Sequence, residues 1–296
     1  MTTHDLCLAW NWEHDASFVD LLETACRGRA RSLLQITPAN LERTLGDLVA
    51  GRDGARAFLD RASEADPRFL PLVDWARNRA LLSINPYEDA RRAWDKVAMH
   101  EALFAVLRTP YTLVIPPFSE QPSLEPLDLA PLGARFSIKP AHGGGGDGVI
   151  LEARTLDQVL AARRQYPQDK YLLQQSVRPV AAGRRPAWFR VIHSAGEIYP
   201  CWWDIRTHVY TPVTAAEESH YNLLKLRDTM KTIARVCGLG LFSTEIGLAD
   251  DGLVVVDYVN DPIDLRLQSR SPEGVPDDIA RFIAESLANL AASVRI

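Results

Sequence analysis

The spacing of apolar positions changes character once along the chain. Up to Arg108, short apolar runs alternate with helical spacing. Asp5 to Asn11 (DLCLAWN) is a run of strand length, and behind it Phe18, Leu21, Leu22 and Cys26 fall on one helix face. Ser32 to Ile36 (SLLQI) predicts a second strand, so the chain opens as strand, helix, strand, and a small α/β domain is expected. From Pro38 to Leu82 the spacing is mostly helical, with Pro38 near a start and Gly51 near a stop. Asn85-Pro86 interrupts, and Tyr87 to Arg108 predicts one long helix. A proline-rich connection, Ile115 to Gly133, follows.

Beyond that connection short strands dominate: ARFSIKP, GVILEA, YLLQQSV, WFRVIHS and EIYPCWW. Helical spacing returns at Leu156 to Gln165 and at Glu217 to Cys237. In the latter Leu223, Leu226, Met230, Ile233 and Cys237 share a face, and Gly238 supplies a stop. FSTEIGL and LVVVDYVN flank Ala249-Asp-Asp-Gly252, a hairpin signal, and a last amphipathic helix starts near Pro276. The pattern predicts an α/β opening domain over 1–108 and a remainder in which short strands dominate.

Composition narrows the partners. The 296 residues carry 33 Lys plus Arg against 38 Asp plus Glu, a net charge of −5, which offers no general attraction to nucleic acid or an anionic membrane. No apolar run reaches membrane-span length, and MTTHDLCLAW lacks the layout of a signal segment, so a cytoplasmic protein is expected. Cys7, Cys26, Cys201 and Cys237 stand apart, which suits reduced thiols better than disulfides or zinc.

Two stretches carry candidate chemistry. In FSIKPAHGGGGDGV, four glycines sit between two predicted strands. Bare backbone can approach a ligand closely, and successive N–H groups form an anion-binding concavity. Neither a P-loop nor a dinucleotide fingerprint fits, because no Gly-Lys-Ser/Thr and no helix follow. A glycine hairpin over a nucleotide phosphate, with Lys139 at its base, is one reading; a flexible surface hairpin is the other. The second stretch is the late hairpin. A three-residue loop, Asp250 to Gly252, pairs Ala249 with Leu253 and sets Glu245 opposite Asp257, within about 5 Å at Cβ. Two carboxylates so placed need a cation, and with the amide of Asn260 they suit Mg²⁺. The alternative is a solvated or arginine-paired sheet edge.

These two stretches, in this order, resemble the ATP-grasp superfamily of nucleotide-dependent ligases and kinases, over roughly Asp95 to Arg266. The resemblance implies ATP and Mg²⁺ held between two α+β subdomains, a lid over 109–175 and a metal-binding unit over 176–296, behind a preceding α/β domain over 1–108. Position by position, Lys96 in RAWDKVAMHEALF and Lys139 look like the two phosphate lysines, and Gly143, Gly144, Gly145 and Gly146 like the loop that covers the phosphates. Gln174, Gln175 and Val177 in YLLQQSVRP match the hinge that reads adenine. Arg190 in AWFRVIHS resembles the arginine facing the transferred phosphoryl group, and Glu245, Asp257 and Asn260 the metal ligands. Three positions depart from the family pattern. Tyr258 stands where the last acidic ligand is usual, Gln175 where a glutamate is frequent, and Trp188 where an acidic residue often precedes the arginine. Strict alternation sends Asp257 and Asn260 to opposite faces, so a bulge or strand end must intervene, or Asp261 or Asp264 is the ligand. Asp204 and Arg206 in YPCWWDIRTHVY, and Arg266 in NDPIDLR, are expected near the acceptor. The implied reaction is ATP-dependent activation of a small-molecule or peptide carboxylate for attack by an amine. A small-molecule kinase and a catalytically degenerate nucleotide-binding module are the alternatives.

Overall fold

The structure is a computed structural model, and it describes residues 2–124 and 127–293. The opening segment is a parallel sheet built from β1 (Thr2–Trp10), β2 (Leu33–Ile36), β3 (Asp53–Arg61) and β4 (Leu82–Ile84), in the order β2-β1-β3-β4. Helices α1 (Ala16–Arg27), α2 (Leu41–Val49) and α3 (Leu70–Asn78) connect the strands. β1 is apolar on both faces because both are covered: Leu6 and Leu8 pack toward α1, Cys7 and Ala9 toward α2 and α3. The helical reading of Pro38 to Leu82 is corrected here. β3 lies in the middle of it, in DGARAFLDR, whose mixed charges conceal a strand that pairs in parallel with both β1 and β4.

The expected long helix over Tyr87 to Arg108 is also corrected. It is two helices, α4 (Tyr87–Trp94) and α5 (Lys96–Leu103), broken at Asp95. Asp95 takes an extended backbone and its Oδ1 accepts the N–H groups of Val97 and Ala98, at 2.8 and 3.1 Å. An aspartate competes well as an N-cap, and this break starts α5 at Lys96.

The second sheet holds β5 (Thr112–Ile115), β6 (Phe136–Pro140), β7 (Ile150–Ala153) and β8 (Tyr171–Gln175), with α6 (Leu156–Arg163) on one face. Its order is β5-β8-β6-β7, all antiparallel. A small hairpin, β9 (Ala181–Ala182) and β10 (Arg185–Pro186), leads to the third sheet. That sheet contains β11 (Trp188–Ser194), β12 (Glu197–Asp204), β13 (Val209–Pro212), β14 (Leu241–Ala249) and β15 (Gly252–Asn260), ordered β13-β12-β11-β14-β15. The helix expected over Glu217 to Cys237 is two, α7 (Ala215–His220) and α8 (Lys225–Cys237), each with its own start; α8 ends on left-handed Gly238.

One face of the third sheet packs on α4, α5 and α8 through Val191, Phe242, Leu226 and Met230. The other shares a core with the opening sheet: Trp188 and Trp203 join Phe18 and Leu22 of α1, and α9 (Asp277–Ser293) returns to cover both through Ile283 and Leu287. All four cysteines are buried and unpaired in disulfides. No helix among the described residues is long and apolar enough to cross a membrane.

Candidate functional site

The late hairpin positions the acidic pair, by a route other than the expected one. Its turn has two residues, Asp250 and Asp251, and Ala249 pairs with Gly252. From Ile246, opposite Val255, the ladder slips by one residue, leaving Val256 extra, and this bulge brings Glu245 opposite Asp257. A second irregularity then sets Asn260 opposite Ser243, two residues from Glu245 on β14. Since positions two apart on a strand share a face, Asp257 and Asn260 lie on the face of Glu245, as a bulge between them requires. Asp261 turns elsewhere: Asn85 Nδ2 (2.7 Å) and Trp94 Nε1 (3.1 Å) donate to its two oxygens, and burial pushes its pKa up to about 7. Asp264 pairs with Arg266.

The first bulge does a second thing. An extra residue has a carbonyl outside the regular ladder, and the Val256 carbonyl accepts a hydrogen bond from Lys139 Nζ at 3.2 Å. Lys139 is 9% exposed and lies on the face of the second sheet that carries Ser137, Leu172 and Gln174, so it spans the gap between the two sheets. Lys96 comes from the start of α5. Its backbone N–H donates to Ala141 O at 2.9 Å and its Nζ to Gly143 O at 2.5 Å. Burial lowers the Lys96 pKa; Asp257 opposes that shift and Lys139 adds to it, so both lie within electrostatic reach. Two lysines and an acidic strand, far apart in sequence, thus come together where the second and third sheets meet.

Arg190 is paired across the ladder with Glu245 and donates from Nη1 to Glu245 Oε1 at 3.3 Å and from Nε to Ser243 Oγ at 3.3 Å. Its guanidinium lies 4.9 Å from the Trp203 ring centre and 5.5 Å from that of Tyr210. Burial works against its charge, yet Tyr210, Glu245, Asp257 and Asp264 together raise its pKa. Burial also raises the Glu245 pKa, with Arg190 opposing it and Asp257 reinforcing it. A divalent cation would relieve that repulsion. Among the described residues no three His, Cys, Asp or Glu side chains form a metal cage. Two carboxylates and an amide oxygen are what the hairpin offers, a donor set that suits Mg²⁺ completed by phosphate oxygens and water.

Gly143, Gly145 and Gly146 have φ of 102°, 62° and 81°, and a Cβ at any of Gly143 to Gly146 would meet no atom within 4 Å. The loop stands clear of the protein. Gln175 and Val177 line a cavity of about 700 Å³ with Tyr111, Leu132, Arg135 and Val254; Lys96, Lys139, Glu245 and Asp257 are not among its lining residues. Gln174 is buried instead, and its Nε2 lies 3.1 Å from the Tyr258 hydroxyl. Tyr258, in the place of the usual acidic ligand, faces α5, with its hydroxyl 2.6 Å from His100 Nδ1.

Asp204 and Arg206 sit in the turn between β12 and β13. Asp204 Oδ1 accepts the backbone N–H of Arg206 and of Thr207, and the Arg206 side chain is 88% exposed. Arg266 lies against Asp264, its guanidinium 5.5 Å from the ring centre of Trp12, beyond the end of β1. Ser243, Tyr210 and His208 were not anticipated. Ser243 shares the Glu245 face by alternation, a signal present in FSTEIGL, whereas Tyr210 and His208 reach the cluster only because β13 folds back on β12.

Solved structures share this architecture from end to end. A RimK-domain ATP-grasp protein from Sphaerobacter thermophilus matches with a TM-score of 0.64 at 20% identity, covering 97% of this chain and 100% of that one. D-alanine–D-alanine ligase from Bacillus anthracis complexed with ATP matches at 0.64 and 10% identity, covering 99% and 96%. The ATP-grasp ligase PsnB, complexed with precursor peptide PsnA2 and AMPPNP, matches at 0.65 and 13% identity, covering 98% and 97%. No protein-family model matches the sequence, and a search of curated proteins returns no match. The chain has the ATP-grasp fold, as its glycine loop and late hairpin led one to expect.

Proposed function

We propose that the protein is an ATP-dependent ligase that activates a carboxylate as an acyl-phosphate, which an amine attacks to give an amide, ADP and phosphate. One observation carries the reading: Lys96, Lys139 and Arg190 converge on Glu245 and Asp257 in a single charged cluster, although they come from five separate elements. The ligase names of the neighbours sharing the fold support it further.

In this reading the base occupies the cavity at Gln175 and Val177, and the glycine loop lies over the phosphates. Lys96 exchanges its contact with the Gly143 carbonyl for a phosphate oxygen, and Lys139 does the same with the Val256 carbonyl. Glu245, Asp257 and Asn260 hold Mg²⁺, which neutralises charge on the phosphates when bound. Arg190, held by Ser243 and stacked on Trp203, offers its remaining donors to the phosphoryl group in transfer. No side chain forms a covalent bond; the chain positions and neutralises. The acceptor enters from the side of Arg266 and the turn of Asp204 and Arg206. Its partners are small-molecule or peptide carboxylates and amines, not nucleic acid.

Calorimetric titration of ATP with and without Mg²⁺ tests the first half. Micromolar binding strengthened by Mg²⁺ is expected, and an absence of binding in both conditions overturns the reading. A screen of carboxylate and amine pairs tests the second: phosphate should appear only when both are present. Phosphate retained on a hydroxyl product would make the protein a kinase instead.

A further inference from the structure

The root of the glycine loop is clamped from two sides, and one clamp has a free end. On one side Lys96 holds the carbonyls of Ala141 and Gly143. On the other, Asp169, in the turn before β8, accepts the backbone N–H of His142 at Oδ2 (2.9 Å) and lies 2.9 Å from His142 Nδ1 through Oδ1. A carboxylate only accepts, so Nδ1 carries the hydrogen and Nε2 is the unused nitrogen of the ring. The His142 side chain is 61% exposed, and Nε2 has no hydrogen-bond partner among the described residues. An imidazole fixed in orientation, with its outer nitrogen open, thus stands one residue before a loop built of bare backbone.

We propose that His142 is a further cation of the phosphate site, donating from Nε2 to the terminal phosphate of the nucleotide beside Lys96 and Lys139; this rests on the ATP-grasp reading of the cleft.

The surroundings favour the charged ring. The bond to Asp169 raises the His142 pKa, with burial and Lys96 opposing and Asp95 assisting. Burial works against the charge of Asp169, yet its bonds to His142, the His142 charge and the Lys170 backbone N–H together hold it below the usual carboxylate range. The acidic residue within the loop, Asp147, does not compete for the imidazole, because its carboxylate accepts from the Tyr166 hydroxyl. A group whose pKa is raised is charged below that pKa. The contribution of His142 to ATP binding is therefore full on the acid side and fades as pH rises through its raised value.

The test is titration of ATP and of AMP, with Mg²⁺, into wild type, His142→Asn and His142→Gln at pH 6 and pH 8. Asparagine keeps a donor for Asp169 and loses the outer nitrogen; glutamine restores an uncharged donor near it. The expected result is a loss of about tenfold in ATP affinity for His142→Asn relative to wild type at pH 6, the value of one charge-assisted hydrogen bond. The ratio should shrink at pH 8, AMP affinity should stay unchanged, and His142→Gln should recover part of the loss, with an affinity relative to His142→Asn that does not change with pH. Equal affinities of wild type and His142→Asn at both pH values overturn the proposal, as does a parallel loss for AMP, which would make His142 an anchor of the loop alone. Should wild type bind no ATP at all, the ligase reading falls first and this one with it; should it bind while His142→Asn matches it, only this one falls.

Discussion

Two strand-turn-strand units face each other across the cleft, and they solve opposite problems. The β6–β7 unit presents backbone: its loop has no side chains where the phosphates would lie, three of its four consecutive glycines sit at positive φ, and all four stand clear of the protein. The β14–β15 unit presents side chains, and it depends on a slipped ladder to aim them. In the first, function is a property of the loop itself. In the second it is a property of register, and the bulge at Val256 serves both units, since it turns Asp257 toward Glu245 and leaves a carbonyl on which Lys139 docks. The lesson is that an open loop needs an exact partner: one side of the cleft can be bare because the other is tightly specified.

The comparison can be broken most severely on the β14–β15 side. Glu245→Ala should abolish ligase turnover and remove the strengthening of ATP binding by Mg²⁺, read in paired titrations with and without the metal; a variant that still responds to Mg²⁺ would place the metal elsewhere. Lys139→Ala, which severs the link between the units, should weaken ATP binding by roughly 2 kcal/mol, about thirtyfold, with the fold retained by circular dichroism. Unchanged affinity there would remove the phosphate site from β6.

Two glycine substitutions sharpen the contrast at smaller scale. At Gly247 a new Cβ would lie 2.7 Å from Trp188 Cζ3, inside the core shared with the opening sheet. Gly247→Ala should cost about 1–3 kcal/mol of stability, seen as a lowered Tm, because a packed ring must move. At Gly145 the new Cβ meets nothing, but φ is +62°. Gly145→Ala should therefore lower Tm less than Gly247→Ala does, by no more than about 1 kcal/mol of stability, and weaken ATP binding to the extent that the loop relaxes out of the left-handed conformation. If the two variants behave alike in both assays, backbone and register are not divided between the units as described.

Much of the site was legible in the sequence because its cues are local. Four glycines between strands, a Lys-Pro ahead of them and two carboxylates in apolar strands need only short windows to be noticed. Elements whose cues were local but outweighed were misread: DGARAFLDR has too many charges to look like a central strand, and Asp95 inside a helical pattern looks like a solvated position rather than a cap. A three-residue turn predicts the Glu245–Asp257 pairing, whereas the structure has a two-residue turn and a bulge; the two differences offset each other at that one position.

By itself the sequence determined the alternation of elements, the bareness of the loop and the identity of the charged groups, since these follow from residue types and their spacing over a few positions. Only the tertiary structure decided which of those groups meet. Lys96 is brought near Asp257 by a cap that starts α5 at one residue and no other; Arg190 meets Glu245 through the pairing of β11 with β14; and Asp257 and Asn260 share a face because the ladder slips between them. Each of these depends on contacts between residues distant in the chain, where packing rather than local preference sets the geometry.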